Sequence, residues 1–216
     1  WDAQFPGIFA DGGFDCVIGN PPYVLCQPGT TDETLLNYYK FYKVASYKID
    51  LFHLFFEKAI MLLANQGLLG FITPNTYLTN KYIKPLRQYI LHCCDIERLV
   101  IHDTVFVTAS VDVTTIILSK QKEKDHAIII EKEENQTLQN YRRIIQRLWE
   151  ENTDFLFNIN QAKKMEFTDT VPLGTICNTY FGIQAFDRKA SISFEKIDDN
   201  YLPIIDGEDI FSFAFA

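Results

Sequence analysis

Apolar and polar positions fall into blocks whose period changes along the chain. Residues 14–19, Phe-Asp-Cys-Val-Ile-Gly, form a short apolar run stopped by Asn20-Pro21-Pro22, which predicts a buried strand that leaves its sheet abruptly. Across 50–64, Leu51, Leu54, Phe55, Ala59, Leu62 and Leu63 recur at helical spacing, with Asp50 placed as a cap and Gln66-Gly67 as a stop. Another apolar run, 68–73, is cut by Pro74; the mixed stretch 77–93 then predicts a helix, and 96–101 a strand. Strand and helix alternate, which predicts an α/β sheet.

After Asp103 the pattern changes. Residues 111–118 and 126–131 are β-rich runs joined by the charged turn 120–125, which predicts an antiparallel hairpin at a sheet edge. Residues 136–150 place Leu138, Tyr141, Ile144, Ile145 and Leu148 on one face of a charged helix that would serve as a connector. From Val171 the chain becomes short-stranded and turn-rich, as at the start of a second domain. The resulting division is 1–133, a helical connector over 134–165, and 166–216.

Of the 216 residues, 47% are hydrophobic and 22% charged, enough apolar side chain for a sizeable core and too much for global disorder. The 28 acidic against 20 basic residues give a net charge of −8, which excludes a protein held to nucleic acid by its overall charge. Any nucleic-acid contact must be local, or shared with sequence outside this chain. Five cysteines, at 16, 26, 93, 94 and 177, form no Cys-x-x-Cys pair, and His53, His92, His102 and His126 add no ligand spacing. The composition therefore suggests no metal and no disulfide framework, and it fits a reducing, cytoplasmic compartment. Residues 59–80 carry no charge but include Asn65, Gln66, Gly67, Gly70, Pro74 and Asn75, which argues against a membrane span. The chain opens on Trp1-Asp2 without an initiator Met or signal peptide, and reads as a piece of a longer polypeptide.

The sharpest candidate chemistry is Asn20-Pro21-Pro22-Tyr23 at the end of the first strand. Two prolines fix φ and remove two backbone donors, so the Asn20 side chain and the Pro21 carbonyl can be held as a rigid pair of acceptors beyond the strand. Two acceptors aimed at the hydrogens of an amine conjugated to a heteroaromatic ring favour its more tetrahedral, electron-rich transition state. Tyr23 adds a flat face for the ring to stack on. By themselves these four residues also suit a surface turn, because each is turn-prone.

The context carries a resemblance. Trp1-Asp2-Ala3-Gln4-Phe5-Pro6, then Gly12-Gly13-Phe14-Asp15-Cys16-Val17-Ile18-Gly19-Asn20-Pro21-Pro22-Tyr23-Val24, resembles the catalytic-loop region of amino-methylating DNA methyltransferases. In particular it resembles adenine-N6 enzymes of γ-type motif order, including fused type IIG restriction-modification enzymes and phage-defence methylases. Tyr47-Lys48-Ile49-Asp50-Leu51-Phe52 is similar to the family's next motif, which implies Asp50 and Phe55 beside the cofactor; Phe55 also suits an ordinary core aromatic. Residues 67–75 resemble the following strand motif. Val105-Phe106 resembles the motif whose aromatic packs on an extruded adenine, which implies that Tyr23 and Phe106 grip one base; the alternative is that Phe106 fills core next to a hairpin. Phe181-Gly182-Ile183-Gln184 and 204–210 resemble the opening of a DNA target-recognition domain.

The resemblance implies the carboxy-terminal half of a Rossmann-like methyltransferase sheet with an antiparallel edge hairpin, acting with S-adenosylmethionine on double-stranded DNA in a bacterial cytoplasm. The family's Gly-rich cofactor loop lies upstream of Asn-Pro-Pro-Tyr, so the cofactor site would be completed by the upstream half of the same polypeptide, and the isolated chain is expected to be inactive. Lys40, Lys43 and Lys48 follow the catalytic loop in a Tyr-rich stretch and are candidates for contacts to the DNA backbone. Lys81, Lys84 and Arg87, and Arg142, Arg143 and Arg147, read as solvated faces. Two other readings stay open: a protein glutamine N5-methyltransferase, which presents an amide nitrogen on a similar loop, and a non-catalytic DNA-binding specificity module on a methylase fold.

Overall fold

The computed structural model describes residues 1–46, 48–102, 112–134 and 136–160, and beyond them 171, 175–176, 193, 195–200, 210–211 and 214–215. The chain divides into two compact units, Trp1–Lys164 and Met165–Ala216. In the second, Ile210–Phe211 pairs antiparallel with Ala214–Phe215. Most of the expected target-recognition segment, including 181–184 and 204–209, lies outside the described residues.

The first unit is built on one mixed sheet. Helix α1 (Pro6–Ala10) leads into β1 (Phe14–Gly19), and Trp1, Phe5 and Phe9 pack their rings around Phe14. A short strand β2 (Leu25–Cys26), helix α2 (Glu33–Tyr39) and strand β3 (Ile49–Asp50) follow, with β2 and β3 paired antiparallel. Helix α3 (Leu51–Leu62) then feeds β4 (Leu63–Pro74). Two 3₁₀ turns, Asn75–Leu78 and Lys81–Ile83, lead to α4 (Lys84–Cys93) and β5 (Asp95–Ile101). The unit continues with β6 (Val113–Ser119), β7 (Ala127–Glu134), β8 (Thr137–Ile145) and α5 (Arg147–Glu150).

The sheet order is β1-β4-β6-β5-β7-β8. Strands β1, β4, β5 and β7 run one way and β6 and β8 the other. In β4, Leu69, Phe71 and Thr73 are buried and alternate with more accessible Leu68, Gly70 and Ile72. That alternation marks a sheet packed on one face. Leu69, Phe71, Leu99, Ile116 and Leu118 form one core with Phe52, Phe56 and Ile60 of α3 and Leu86 and Ile90 of α4. On the opposite face Ile18 of β1 is 86% exposed.

Two sequence expectations are corrected. The runs 111–118 and 126–131 do not pair with each other: β6 inserts between β4 and β5, and β7 lies on the far side of β5, parallel to it. The connection between them passes the start of β5, where buried Asp95 accepts the Glu123 N–H at 2.7 Å and meets Lys122 Nζ at 3.3 Å. The antiparallel edge hairpin exists, but its strands are β7 and β8. The expected connector helix over 136–150 is therefore mostly strand. Its helix-like spacing of apolar residues buries little, since Leu138, Tyr141 and Ile145 stay at least 37% exposed. The open edge of β7 supplies partners for the backbone instead, and Gln136, at φ 60°, closes the turn.

The segment after β8 folds back on β5. Gln146, buried, accepts the Ile96 N–H at 2.8 Å and donates to the Cys94 carbonyl at 3.0 Å, standing in for a neighbouring strand. Trp149 stacks on Phe157 at 4.7 Å and 12°, both fully buried. Across 77–93 only the second half is α-helical, because Pro85 suits a first helical turn and not an interior.

Candidate active site

Strand β1 ends beside β4, with Gly19 opposite Phe71; a Cβ at Gly19 would lie 3.3 Å from the Phe71 ring. Beyond it Asn20 is exposed, and its side chain makes no hydrogen bond among the described residues. Pro21 is buried and Pro22 exposed, so the turn is anchored on one proline. Tyr23 is half-buried: its hydroxyl donates to the Ile72 carbonyl at 3.1 Å, and its ring meets Phe52 edge-on at 6.3 Å and 81°. Burial raises the Tyr23 pKa, so the phenol remains a donor at neutral pH.

Asp50 closes the chain between β2 and α3 into a pinned loop. Its Oδ1 accepts the Val24 N–H at 3.0 Å and the Phe52 N–H at 3.4 Å, while Leu51 N–H donates to the Val24 carbonyl at 3.0 Å. His53 Nδ1 accepts the Asp50 N–H at 3.4 Å, completing a capping box. Burial raises the Asp50 pKa, against the lowering effect of those backbone donors, and burial pushes His53 down to about 4. His53 is therefore neutral at pH 7, and its Nε2 is buried with no partner among the described residues.

The expected site residues are distributed as follows. Asn20, Pro21, Pro22 and Tyr23 stand together at the carboxyl end of β1, with Asp50 one turn of α3 away from Tyr23's neighbour Phe52. Phe55 is 45% exposed and not core, and it is Phe52, named in the sequence only as the end of the motif 47–52 and given no role, that touches Tyr23. Lys40 donates to Asn37 at 2.9 Å, Lys43 lines a cavity with Tyr89, His92 and Cys93 of α4, and Lys48 is exposed. Among the described residues no hydrogen bond or ion pair joins these lysines to Asn20 or Tyr23. Phe106 and Tyr47 lie outside the described residues. The described flanks of 103–111 sit at the same end of the sheet: His102 N–H donates to the Val113 carbonyl at 3.3 Å, and Asn75 N–H to the Asp112 carbonyl at 2.9 Å. His102 itself bridges Glu133 at 2.6 Å and Thr115 at 2.8 Å, a cross-strand contact that sequence spacing could not reveal. Among the described residues no group of three His, Cys, Asp or Glu side chains could hold a metal ion, and no helix is long and apolar enough to cross a membrane.

Residues 1–106, just under half of the chain, match the Eco57I restriction-modification methylase family. The type II methyltransferase M.BstVI of Geobacillus stearothermophilus is 40% identical over 77 residues, 36% of this chain and 14% of its own. M.PaeR7I of Pseudomonas aeruginosa is 36% identical over 93 residues, 42% of this chain and 16% of its own. The type II restriction enzyme and methyltransferase RM.Eco57I of Escherichia coli is 34% identical over 79 residues, 36% of this chain and 8% of its own. The chain thus spans less than a fifth of the length of these relatives. Asn20-Pro21-Pro22-Tyr23 lies inside the matched region.

Proposed function

We propose that this chain is part of a DNA methyltransferase, within a type II restriction-modification protein, that modifies the N6 amine of adenine in double-stranded DNA in the bacterial cytoplasm. The observation that carries this reading is the exposed Asn20 side chain at the carboxyl end of β1, without a hydrogen bond among the described residues, beside a Tyr23 whose ring and hydroxyl are both held. S-adenosylmethionine is the proposed methyl donor. Its fit rests on that open strand end and on the loop pinned beside it, where Asp50 accepts the N–H of Val24, the residue after Tyr23. These residues form one side of a cofactor site, and the upstream half of the polypeptide is proposed to supply the other.

The chain's own residues orient the amine. Asn20 Oδ1 and the Pro21 carbonyl each accept one amine hydrogen, which draws the nitrogen lone pair out of conjugation and aims it for in-line attack. Pro21 and Pro22 present no N–H that could compete for those acceptors. The target base must leave the duplex, at a cost of a few kcal/mol, and stacking on Tyr23 and Phe106 offsets part of it.

The test incubates the full-length polypeptide with unmethylated DNA and radiolabelled S-adenosylmethionine, followed by identification of the modified nucleoside. N6-methyladenine is expected. Asn20→Ala should lower kcat by about 100-fold or more while DNA affinity is retained. The 216-residue chain run alone should transfer no label. Label on a protein glutamine would overturn the reading in favour of an amide methyltransferase, and an Asn20→Ala protein with undiminished methylation would remove Asn20 from the mechanism.

A further inference from the structure

Where β4 ends, the two 3₁₀ turns and residues 157–160 enclose a cavity of about 530 Å³. Its lining includes Asn75, Thr76, Thr79, Asn80, Lys81 and Asn158 and, among the described residues, no carboxylate, in a chain with 28 acidic residues. The walls are fixed. Arg87, fully buried, donates to the carbonyls of Tyr77 at 2.9 Å, Asn80 at 2.8 Å and Asp154 at 3.0 Å. Lys84 reaches the Thr153 carbonyl at 2.7 Å, and Phe157 N–H donates to the Leu78 carbonyl at 2.9 Å. Two of the three cations in this stretch of sequence therefore build the groove, and Lys81 has no hydrogen bond or ion pair among the described residues.

The asparagines are polarised in one direction. The Asn80 side-chain oxygen accepts the Tyr82 N–H at 2.9 Å, the Asn158 oxygen accepts the Asn160 N–H at 3.0 Å, and the Asn160 oxygen accepts the Tyr141 hydroxyl at 3.2 Å. The side-chain oxygens of these three asparagines are engaged inside the protein, and their amide N–H groups make no hydrogen bond among the described residues. Adding the hydroxyls of Thr76 and Thr79 and the Lys81 ammonium gives a groove rich in donors with one positive charge. A phosphodiester, with a single negative charge and several oxygen acceptors, matches that set. The groove also lies at the end of the sheet where the catalytic loop emerges, because Tyr23 is bonded to Ile72, three residues before Asn75.

We propose that this groove holds the sugar–phosphate backbone of the DNA strand next to the target base, with Lys81 on a phosphate oxygen. The proposal rests on the DNA-methylating reading and names a contact within it.

The experiment measures DNA binding by fluorescence anisotropy across a salt series, together with steady-state methylation, in the full-length polypeptide. Lys81→Ala should weaken DNA binding by about 5–10-fold near 0.1 M salt and lower the salt slope by about one. It should raise KM for DNA and leave KM for S-adenosylmethionine unchanged. Lys81→Arg should keep affinity within about twofold, and Lys124→Ala, on the exposed turn at the other end of the sheet, should behave as wild type. Unchanged affinity and slope in Lys81→Ala would overturn the proposal, as would a raised KM for S-adenosylmethionine alone, which would assign the groove to the cofactor. A wild-type protein that binds DNA with the expected Lys81 dependence but methylates nothing would sink the methyltransferase reading and leave the groove standing.

Discussion

Asn20 and Tyr23 belong to one tetrapeptide but have opposite surroundings. Asn20 is exposed and its side chain makes no hydrogen bond among the described residues, whereas Tyr23 is fixed by Ile72 and Phe52. Their residue types were legible in the sequence because rigid acceptors and a stacking face occur in succession. Phe52 was not, since nothing in a helical repeat says which aromatic turns toward a loop 29 residues earlier. His53 gives a prediction at this scale. Its pKa falls from 6.5 to about 4 on folding, so between those values the unfolded chain binds a proton that the folded chain does not. Stability should therefore fall as pH drops from 7 to 4, by up to roughly 3 kcal/mol from this group. His53→Gln should flatten the profile when urea midpoints are compared at pH 7, 5.5 and 4.5. That comparison cancels the carboxylates titrating in the same range, among them Asp50, whose raised pKa acts in the opposite sense. An unchanged slope would remove His53 as the cause.

Elements with a strong local signature were read correctly. The Asp50 cap and the apolar repeat mark α3, and the runs before Asn20 and Pro74 mark β1 and β4. β8 was misread because Leu138, Tyr141 and Ile144 satisfy a helical period in a stretch whose backbone is claimed by the β7 edge. The approach of β1 to β4 depends on glycine. Gly13 has φ +125°, and a Cβ there would lie 2.6 Å from the Leu62 carbonyl oxygen and 2.8 Å from Ala64 N. Both are backbone atoms that cannot swing away. Gly13→Ala should cost about 2 kcal/mol or more, read as a lowered urea midpoint with an unchanged m-value. A variant as stable as wild type would mean that β1 can enter the sheet along another path.

At the scale of the molecule, contacts between distant residues cap the start of β5, ahead of its pairing with β7. Gln146 bonds both Ile96 and Cys94, fifty residues away, and Trp149 and Phe157 pack under the same fold-back. Gln146→Ala leaves the buried Ile96 N–H unpaired and the Cys94 carbonyl with only its 3.5 Å bond from Lys122, and should destabilise the first unit by about 1–3 kcal/mol in a denaturant titration. A loss below about 0.5 kcal/mol would show that the segment after β8 is held by its aromatic residues alone. The sequence by itself determined the elements with a strong local signature, α3, β1 and β4, and the position of Asn20-Pro21-Pro22-Tyr23 at a strand end, because these depend on neighbours in the chain. Tertiary structure alone decided that β6 divides β4 from β5, that β8 is a strand, and that Lys84 and Arg87 bond to the backbone while Lys81 has no hydrogen bond or ion pair among the described residues. Strand order and the assignment of each donor follow from which distant backbone groups need partners, and no local spacing encodes that.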